Sequence, residues 1–411
     1  MSDSASPTSR PSHLAIFLSH PIQHFVPWLR ELDHRLEGGV MVHYASRQGL
    51  ETRHDPEFGQ SFAWDMDLLS GYRHKFWERE GHVRGPSHGF WGVRYPGLAA
   101  YLRRERPRAI LVWGWLYAGF WQAAWTARRL GIPYFLRGES NLQNRGGATK
   151  WWLKRQTVGR LCRGAAGCLA IGTRNARLYQ AYGVKEERIW TAPYFVDNDW
   201  FETEAARLRP KRAALRSKFG LPSDGLVFLF MGKLIRKKHP DHALGAWKSL
   251  PESCRRRSAL FIAGSGEMME ELKSMAGGDA RVAFAGFLNR RELPEAYAAS
   301  DVLLLPSDAG ETWGLVVNEA MASGLPVIVS DLVGCVPDLV LEGETGFVFP
   351  FGDQPALGER LRYLIDNPAR VSKAGAAARS RINAAGVERA VNATIRAFEF
   401  LPRSSQPAEI P

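Results

Sequence analysis

Short apolar runs alternate with amphipathic stretches along most of the chain. In the first half, Leu14–Ser19, Val40–Tyr44, Ala109–Trp113, Tyr134–Arg137, Gly167–Ile171 and Ile189–Ala192 are almost wholly apolar. Runs of that length read as strands buried on both faces. Between them, Pro27–Leu36 and Tyr117–Leu130 place apolar residues at helical spacing, and Gly131-Ile132-Pro133 stops the second. The pattern restarts in the second half. Val227–Met231, Leu260–Ala263, Val282–Ala285, Val302–Leu305, Val327–Ser330 and Gly346–Phe349 read as strands, with Pro240–Ser249 and Met268–Ala276 as helices among them. Regular strand–helix alternation predicts an α/β fold with one doubly wound, Rossmann-like parallel sheet in each half.

Between Asp199 and Pro210 the chain turns polar and then basic. The division is therefore expected between a first domain, residues 1–203, and a second, residues 204–380. A length of 411 residues is enough for two full cores. The tail, residues 404–411, is Pro/Ser-rich and is expected to be disordered. There is no internal repeat.

Composition narrows the class without fixing it. Hydrophobic content of 45% and charged content of 23% are globular values. Cys162, Cys168, Cys254 and Cys335 show neither metal-ligand spacing nor disulfide density, which fits a reducing compartment. Met1–Ser12 is polar and has no signal-peptide character, so the expected location is cytoplasmic. Ala109–Trp125 is apolar, but it is shorter than the roughly 20 residues a spanning helix needs and it breaks at Gly114. Charge is uneven: residues 101–200 carry 17 Lys/Arg against 6 Asp/Glu, nearly all of the net +12. Twelve of the 14 tryptophans fall in residues 1–200. A basic, aromatic half implies an anionic partner surface. Trp151-Trp152 beside Lys150, Lys154, Arg155, Arg160 and Arg163 resembles an interfacial helix, with rings at headgroup depth and cations on anionic lipid. A helix packed on the sheet with a solvated basic face explains the same residues.

The densest chemistry lies in residues 301–330. A buried strand leads into Asp308-Ala-Gly-Glu311-Thr312-Trp313-Gly314, then a short helix from Leu315 that carries Glu319 and stops at Gly324, then a second buried strand. A helix start offers free N–H groups and a positive dipole end to an anion. The two carboxylates are eight positions apart, on the order of 10 Å at about 1.5 Å of rise per residue plus a loop. A retaining glycosidase pair needs about 5–5.5 Å. The wider spacing suits one elongated ligand held at both ends.

Glu311-x7-Glu319 followed by Ala320-Met321-Ala322-Ser323-Gly324-x-Pro326-Val327 resembles the retaining nucleotide-sugar glycosyltransferases of family 4, which have the GT-B fold. The resemblance implies Glu311 on donor sugar hydroxyls, Glu319 on the ribose, and a diphosphate over the helix start flanked by Thr312, Trp313, Gly314 and Leu315. Gly232-Lys233, with Lys238 five positions on, matches the family's phosphate-holding pair; His239 stands where relatives usually carry Gly. Gly286-Phe287-Leu288 falls where the family's backbone meets the nucleobase. Gly264-Ser265-Gly266 reads as a tight turn at the cleft rim, and Gly334–Asp338 as a structural loop. Residues 381–403 are expected to cross back to the first domain, as the last helix does in GT-B enzymes.

The first domain departs more from the family. Ser19-His20-Pro21-Ile22-Gln23 replaces the common Gly-Gly loop and resembles a subgroup with this start. Ser19 and His20 are expected on the donor side and Gln23 on the acceptor side. Glu139 aligns near a position where many relatives carry His, which makes it the candidate acceptor base, with Arg137 and Asn141 as acceptor-side neighbours. Two Asp-x-Asp triplets, Asp65–Asp67 and Asp197–Asp199, invite a metal reading, but neither adjoins the donor motifs and Lys233 and Lys238 already supply positive charge. No metal or other cofactor is expected.

These residues predict transfer of a hexose from a UDP- or GDP-type sugar to a hydroxyl, with Glu311, Lys233, Lys238 and Glu139 carrying the chemistry. The resemblance implies a lipid-linked saccharide acceptor in a surface polysaccharide pathway, met on the inner face of a membrane. A GT-B epimerase or phosphorylase would use the same donor site. A nucleic-acid binder would exploit the basic patch, but no base-reading motif accompanies it, so no nucleic acid is expected. A saccharide-binding module remains a further alternative.

Overall fold

The computed structural model describes residues 13–50, 52–55, 59–78 and 86–401. The expected tail, residues 404–411, lies outside them, as do Met1–Ser12.

Two parallel sheets form the frame. The first contains Leu14–Leu18, Val40–Tyr44, Arg73–Phe76, Ala109–Val112, Tyr134–Leu136, Gly167–Ala170 and Ile189–Thr191. Taken in chain order these lie 3-2-1-4-5-6-7 across the sheet. The second contains Leu226–Met231, Ser258–Ala263, Val282–Gly286, Val302–Leu305, Val327–Ser330 and Gly346–Phe349, ordered 3-2-1-4-5-6. Both orders reverse direction beside the first strand, and in such sheets the crevice beyond the carboxyl strand ends is the binding position. All pairings within the two sheets are parallel. That arrangement requires helices on both faces, which is why the strands read as unbroken apolar runs. Arg53–Asp55 and Gln60–Phe62 add a small antiparallel hairpin.

The cores follow from these runs. Leu14–Leu18 and Ala109–Val112 are wholly buried, as are Val302–Leu305 and Val327–Ser330. Trp28 fills the first core and Trp247 the second, each 0% exposed.

The domain crossing differs from the expected 203/204 division. That point lies inside the unbroken helix Asn198–Leu208, which packs on Leu293–Ala299 and Leu315–Ala322 of the second half. Asp197 caps this helix by accepting from Trp200 N at 3.2 Å, so the chain changes domain at Ala192–Asp197. Likewise residue 381 falls within helix Pro368–Asn383, and the return is made by helix Val387–Glu399. That last helix packs on Val26–Arg35 and on strand Ile189–Thr191 of the first domain.

Candidate active site

Glu311 is held by backbone rather than by its own helix. Strand Val302–Leu305 ends in a loop whose turns are closed by Asp308: Glu311 N donates to Asp308 O at 3.1 Å, and Gly310 N to Asp308 Oδ1 at 2.6 Å. Gly334 N donates to Glu311 O at 3.0 Å, and Cys335 N to Trp313 O at 3.0 Å. A Cβ at Gly334 would sit 1.8 Å from Thr312 O, so only glycine admits this clamp. Gly314, at φ +98°, then turns the chain into helix Leu315–Ala322.

Lys238 reaches the same loop from the neighbouring strand. Leu226–Met231 ends in Gly232 and Lys233, and the turn Arg236–Lys238 follows. Asp308 N donates to Lys237 O at 3.1 Å, which ties the turn to the Glu311 loop. The Lys238 ammonium pairs with Glu311 Oε2, with both side chains mostly buried. Lys233 is half-buried nearby in sequence, at the strand end. Gly264 packs tightly against this strand end; a Cβ there would meet Gly232 O at 1.8 Å. The Gly264–Gly266 turn is thus fixed by backbone contact.

Glu319, one turn into its helix, accepts from Tyr297 Oη at 2.6 Å. Burial pushes its carboxyl up to about 7, while the Tyr297 hydrogen bond and the charges of Arg290 and Lys238 pull the other way. It faces a small cavity between the two domains, with Gln23 and His24 on one wall and Arg290 and Leu293 on the other. Arg290 pairs with Asp197 at 3.3 Å and lies 4.2 Å over the Trp200 ring. Just before it in sequence, Gly286, Phe287 and Leu288 are half-buried, with Gly286 at φ +72°.

The first-domain wall brings the Ser19–His24 loop to this cavity. Ser19 Oγ lies 2.9 Å from His20 Nδ1. Burial lowers His20 to about 4 and His24 to about 3, the latter helped by Arg137, so both imidazoles are neutral. Gln23 Oε1 and His24 Nε2 are buried without a hydrogen-bond partner among the described residues. Beyond them, Glu139 accepts from Trp113 Nε1 at 2.8 Å and is hydrogen-bonded to Tyr194. Arg137 is 0% exposed; its guanidinium donates to Ala192 O at 2.6 Å and stacks 4.9 Å over Trp113. It therefore stands behind Glu139 and holds the crossing segment. Asn141 is buried.

Several residues join the two walls. Thr173 N and Oγ1 both donate to Asp338, the latter at 2.7 Å. Arg174 donates to Asp331 O at 2.6 Å and to Leu332 O at 2.9 Å. Trp313 is 2% exposed, tucked against Gly172, and donates to Asn318 Oδ1 at 2.8 Å; Asn318 in turn donates to Tyr194 O at 3.2 Å. The Asp-x-Asp triplets serve similar ends. Asp65 accepts from Arg291 N at 3.1 Å, Asp67 caps the Leu69–Ser70 turn, and Asp197 caps a helix.

The geometry thus brings together Lys238 with Glu311, and Glu319 with Gln23. Arg290, Tyr297 and Tyr194 were not found from the sequence. Arg290 lies just past Leu288 and was the one with a positional signal; Tyr297 sits in the apolar helix Leu293–Ala299 and Tyr194 in the crossing segment, where neither is marked by its neighbours in sequence.

Two family models cover most of the chain: a glycosyl transferase 4-like domain over residues 23–194 and glycosyl transferases group 1 over residues 211–381. A D-inositol 3-phosphate glycosyltransferase of Xylanimonas cellulosilytica is 31% identical over 239 residues, 57% of each chain. Sulfoquinovosyl transferase of Arabidopsis thaliana is 34% identical over 202 residues, 48% of this chain and 37% of its own. The chain spans about half the length of the curated relatives it matches. Among solved structures, Anabaena HepE with UDP and glucose superposes with a TM-score of 0.70 at 15% identity, covering 95% of this chain and 100% of its own. Sucrose-phosphate synthase of Thermosynechococcus elongatus gives 0.69 at 18% identity, covering 95% and 98%. The shared fold is GT-B, and with both halves matched the chain belongs to the family 4 glycosyltransferases.

Proposed function

We propose that the protein transfers a hexose, with retention of configuration, from a nucleotide diphosphate sugar to a hydroxyl of a saccharide acceptor. The observation that carries this reading is the Lys238–Glu311 pair, fixed by backbone at the carboxyl end of the second sheet. Departure of a nucleoside diphosphate builds negative charge on the leaving phosphate. Lys238, Lys233 and the Leu315–Ala322 helix start offer preorganised positive charge to it. In the free enzyme Glu311 neutralises Lys238; the donor's phosphate would take over the lysine and release Glu311 to the sugar hydroxyls.

Glu319 would hold the ribose. Its raised pKa and its Tyr297 partner fit a carboxyl held at the cavity wall. Gly286, Phe287 and Leu288 would border the base, with Thr312, Gly314 and Leu315 along the diphosphate. On the facing wall, Ser19, His20 and Gln23 would meet the donor's far end and the acceptor, and Glu139 would accept the acceptor's proton. The unpartnered Gln23 Oε1 supports a role in binding a hydroxyl. The chemistry needs no metal, because lysine and amide charge stand where an ion would. HepE, of the same fold, was solved with UDP and glucose, which favours a UDP-type donor over the GDP alternative.

The acceptor is proposed to be lipid-linked and met at the inner face of a membrane, where the protein would bind peripherally. No helix among the described residues is long and apolar enough to cross a membrane. Trp152 and Leu153 are 61% and 55% exposed on the basic helix Ala148–Gln156, and Trp125 is 58% exposed. Exposed aromatics among cations suit anionic lipid. The test is incubation of a nucleotide-sugar panel with acceptor-containing membrane extract, with the product anomer read by NMR. A product with the donor's anomeric configuration is expected; an inverted product, or sugar epimerised without acceptor, refutes the reading.

A further inference from the structure

We propose that His239, Asp241 and His242 form a binding site for a divalent first-row transition ion, beside the donor cleft and separate from its chemistry. One nitrogen from each histidine and one Asp241 oxygen lie within 4.8 Å of one another. The two imidazoles pack on each other with ring centroids 4.4 Å apart, and Asp241 lies beside both: Oδ1 is 3.9 Å from His239 Nδ1, and Oδ2 is 3.9 Å from His242 Nε2. A tetrahedral site with bonds of about 2.0 Å places ligand atoms about 3.3 Å apart, so small side-chain rotations close this set. Two imidazoles and a carboxylate with a fourth position open is a ligand set that suits zinc and its neighbours.

Three further observations support it. Asp241 Oδ1 and His242 Nδ1 are buried with no hydrogen-bond partner among the described residues, an arrangement that costs free energy unless something fills it. The outer nitrogen of His239 faces a second carboxylate, with Nε2 3.8 Å from Asp308 Oδ2. A carboxylate behind a ligating histidine fixes its tautomer and aim. Phe351 covers the apolar side, its ring 4.9 Å from His239 and 5.7 Å from His242. The helix start at Pro240 opposes a cation, and Asp241 with Asp308 supplies the two negative charges that offset it.

The site also explains an unusual backbone. His239 sits at φ +50°, a left-handed conformation that costs a side-chain-bearing residue roughly 1–2 kcal/mol. An ion held by its ring would offset that cost.

The test uses the untagged full chain, stripped with a chelator and dialysed, then titrated with Zn²⁺ against a chromophoric competitor. Uptake of a single equivalent is expected, with Co²⁺ giving the visible band of four-coordinate cobalt. His242→Ala and Asp241→Asn should each abolish that equivalent, and Asp308→Asn should weaken it about 10- to 100-fold. His239→Gly, which suits the left-handed backbone, should lose uptake while remaining folded by circular dichroism. No stoichiometric uptake, or uptake unchanged in His239→Gly and Asp241→Asn, overturns the proposal.

Discussion

Replacing Glu319 by Gln should remove a pH-dependent weakness from the second domain. The folded carboxyl titrates at about 7 against an ordinary value of 4.5. Between those values the unfolded chain has released the proton and the folded chain keeps it. The stability tied to the neutral carboxyl is therefore fully present below pH 4.5 and is lost as the pH rises through 7. A shift of that size corresponds to about 3 kcal/mol in full, at about 1.4 kcal/mol per unit. Gln keeps an oxygen for the Tyr297 hydroxyl and carries no charge at any pH. Urea unfolding of both proteins from pH 5 to pH 8 reads the difference, in which all other titrating groups cancel. The variant should gain on the wild type by about 2–3 kcal/mol across that range. A gap that stays constant would show that Glu319 ionises normally in the fold and would refute the argument from burial.

Other outcomes follow from the same geometry. Lys238→Ala should cut kcat/KM by about 10²- to 10³-fold, as removal of a preorganised transition-state donor does elsewhere. It also leaves Glu311 without its cation, so nucleotide affinity measured by calorimetry should fall as well. Gly334→Ala forces a Cβ against Thr312 O and should displace the Glu311 loop, lowering turnover by more than it lowers Tm. Asp338→Ala removes the acceptor for Thr173 N and Oγ1 at the domain joint and should cost about 1–3 kcal/mol in unfolding experiments.

Both sheets were legible because parallel strands buried on two faces cannot alternate in polarity; Val302–Leu305 and Val327–Ser330 are unbroken apolar runs for that reason. Strand Arg73–Phe76 was missed because it is a sheet edge, and its Arg-His-Lys sequence is exposed. The domain division was misplaced because the shift to polar and basic residues marks the solvent face of helix Asn198–Leu208, whose other face packs on the second domain. Glu311, Glu319 and Lys238 were readable because their motifs, Glu311-x7-Glu319 and Gly232-Lys233 with Lys238 five positions on, resemble those of the family. Their partners were not. Tyr297 lies 22 positions before Glu319, and Arg290 meets Asp197 from 93 positions away. Nothing local in the sequence encodes such pairings. Gly334 was read as structural, but the reason, a backbone approach to Thr312, appears only in three dimensions.

The central claim is that a nucleotide sugar reacts at Glu311 and Lys238 without a metal. Nucleotide release from a panel of UDP-, GDP- and ADP-sugars, with EDTA present, tests it most directly when wild type is compared with Glu311→Ala and Lys238→Ala. Slow hydrolysis of a donor by the wild type, lost in both variants, is the predicted result. Release that both variants retain, or that EDTA abolishes in the wild type, would contradict it.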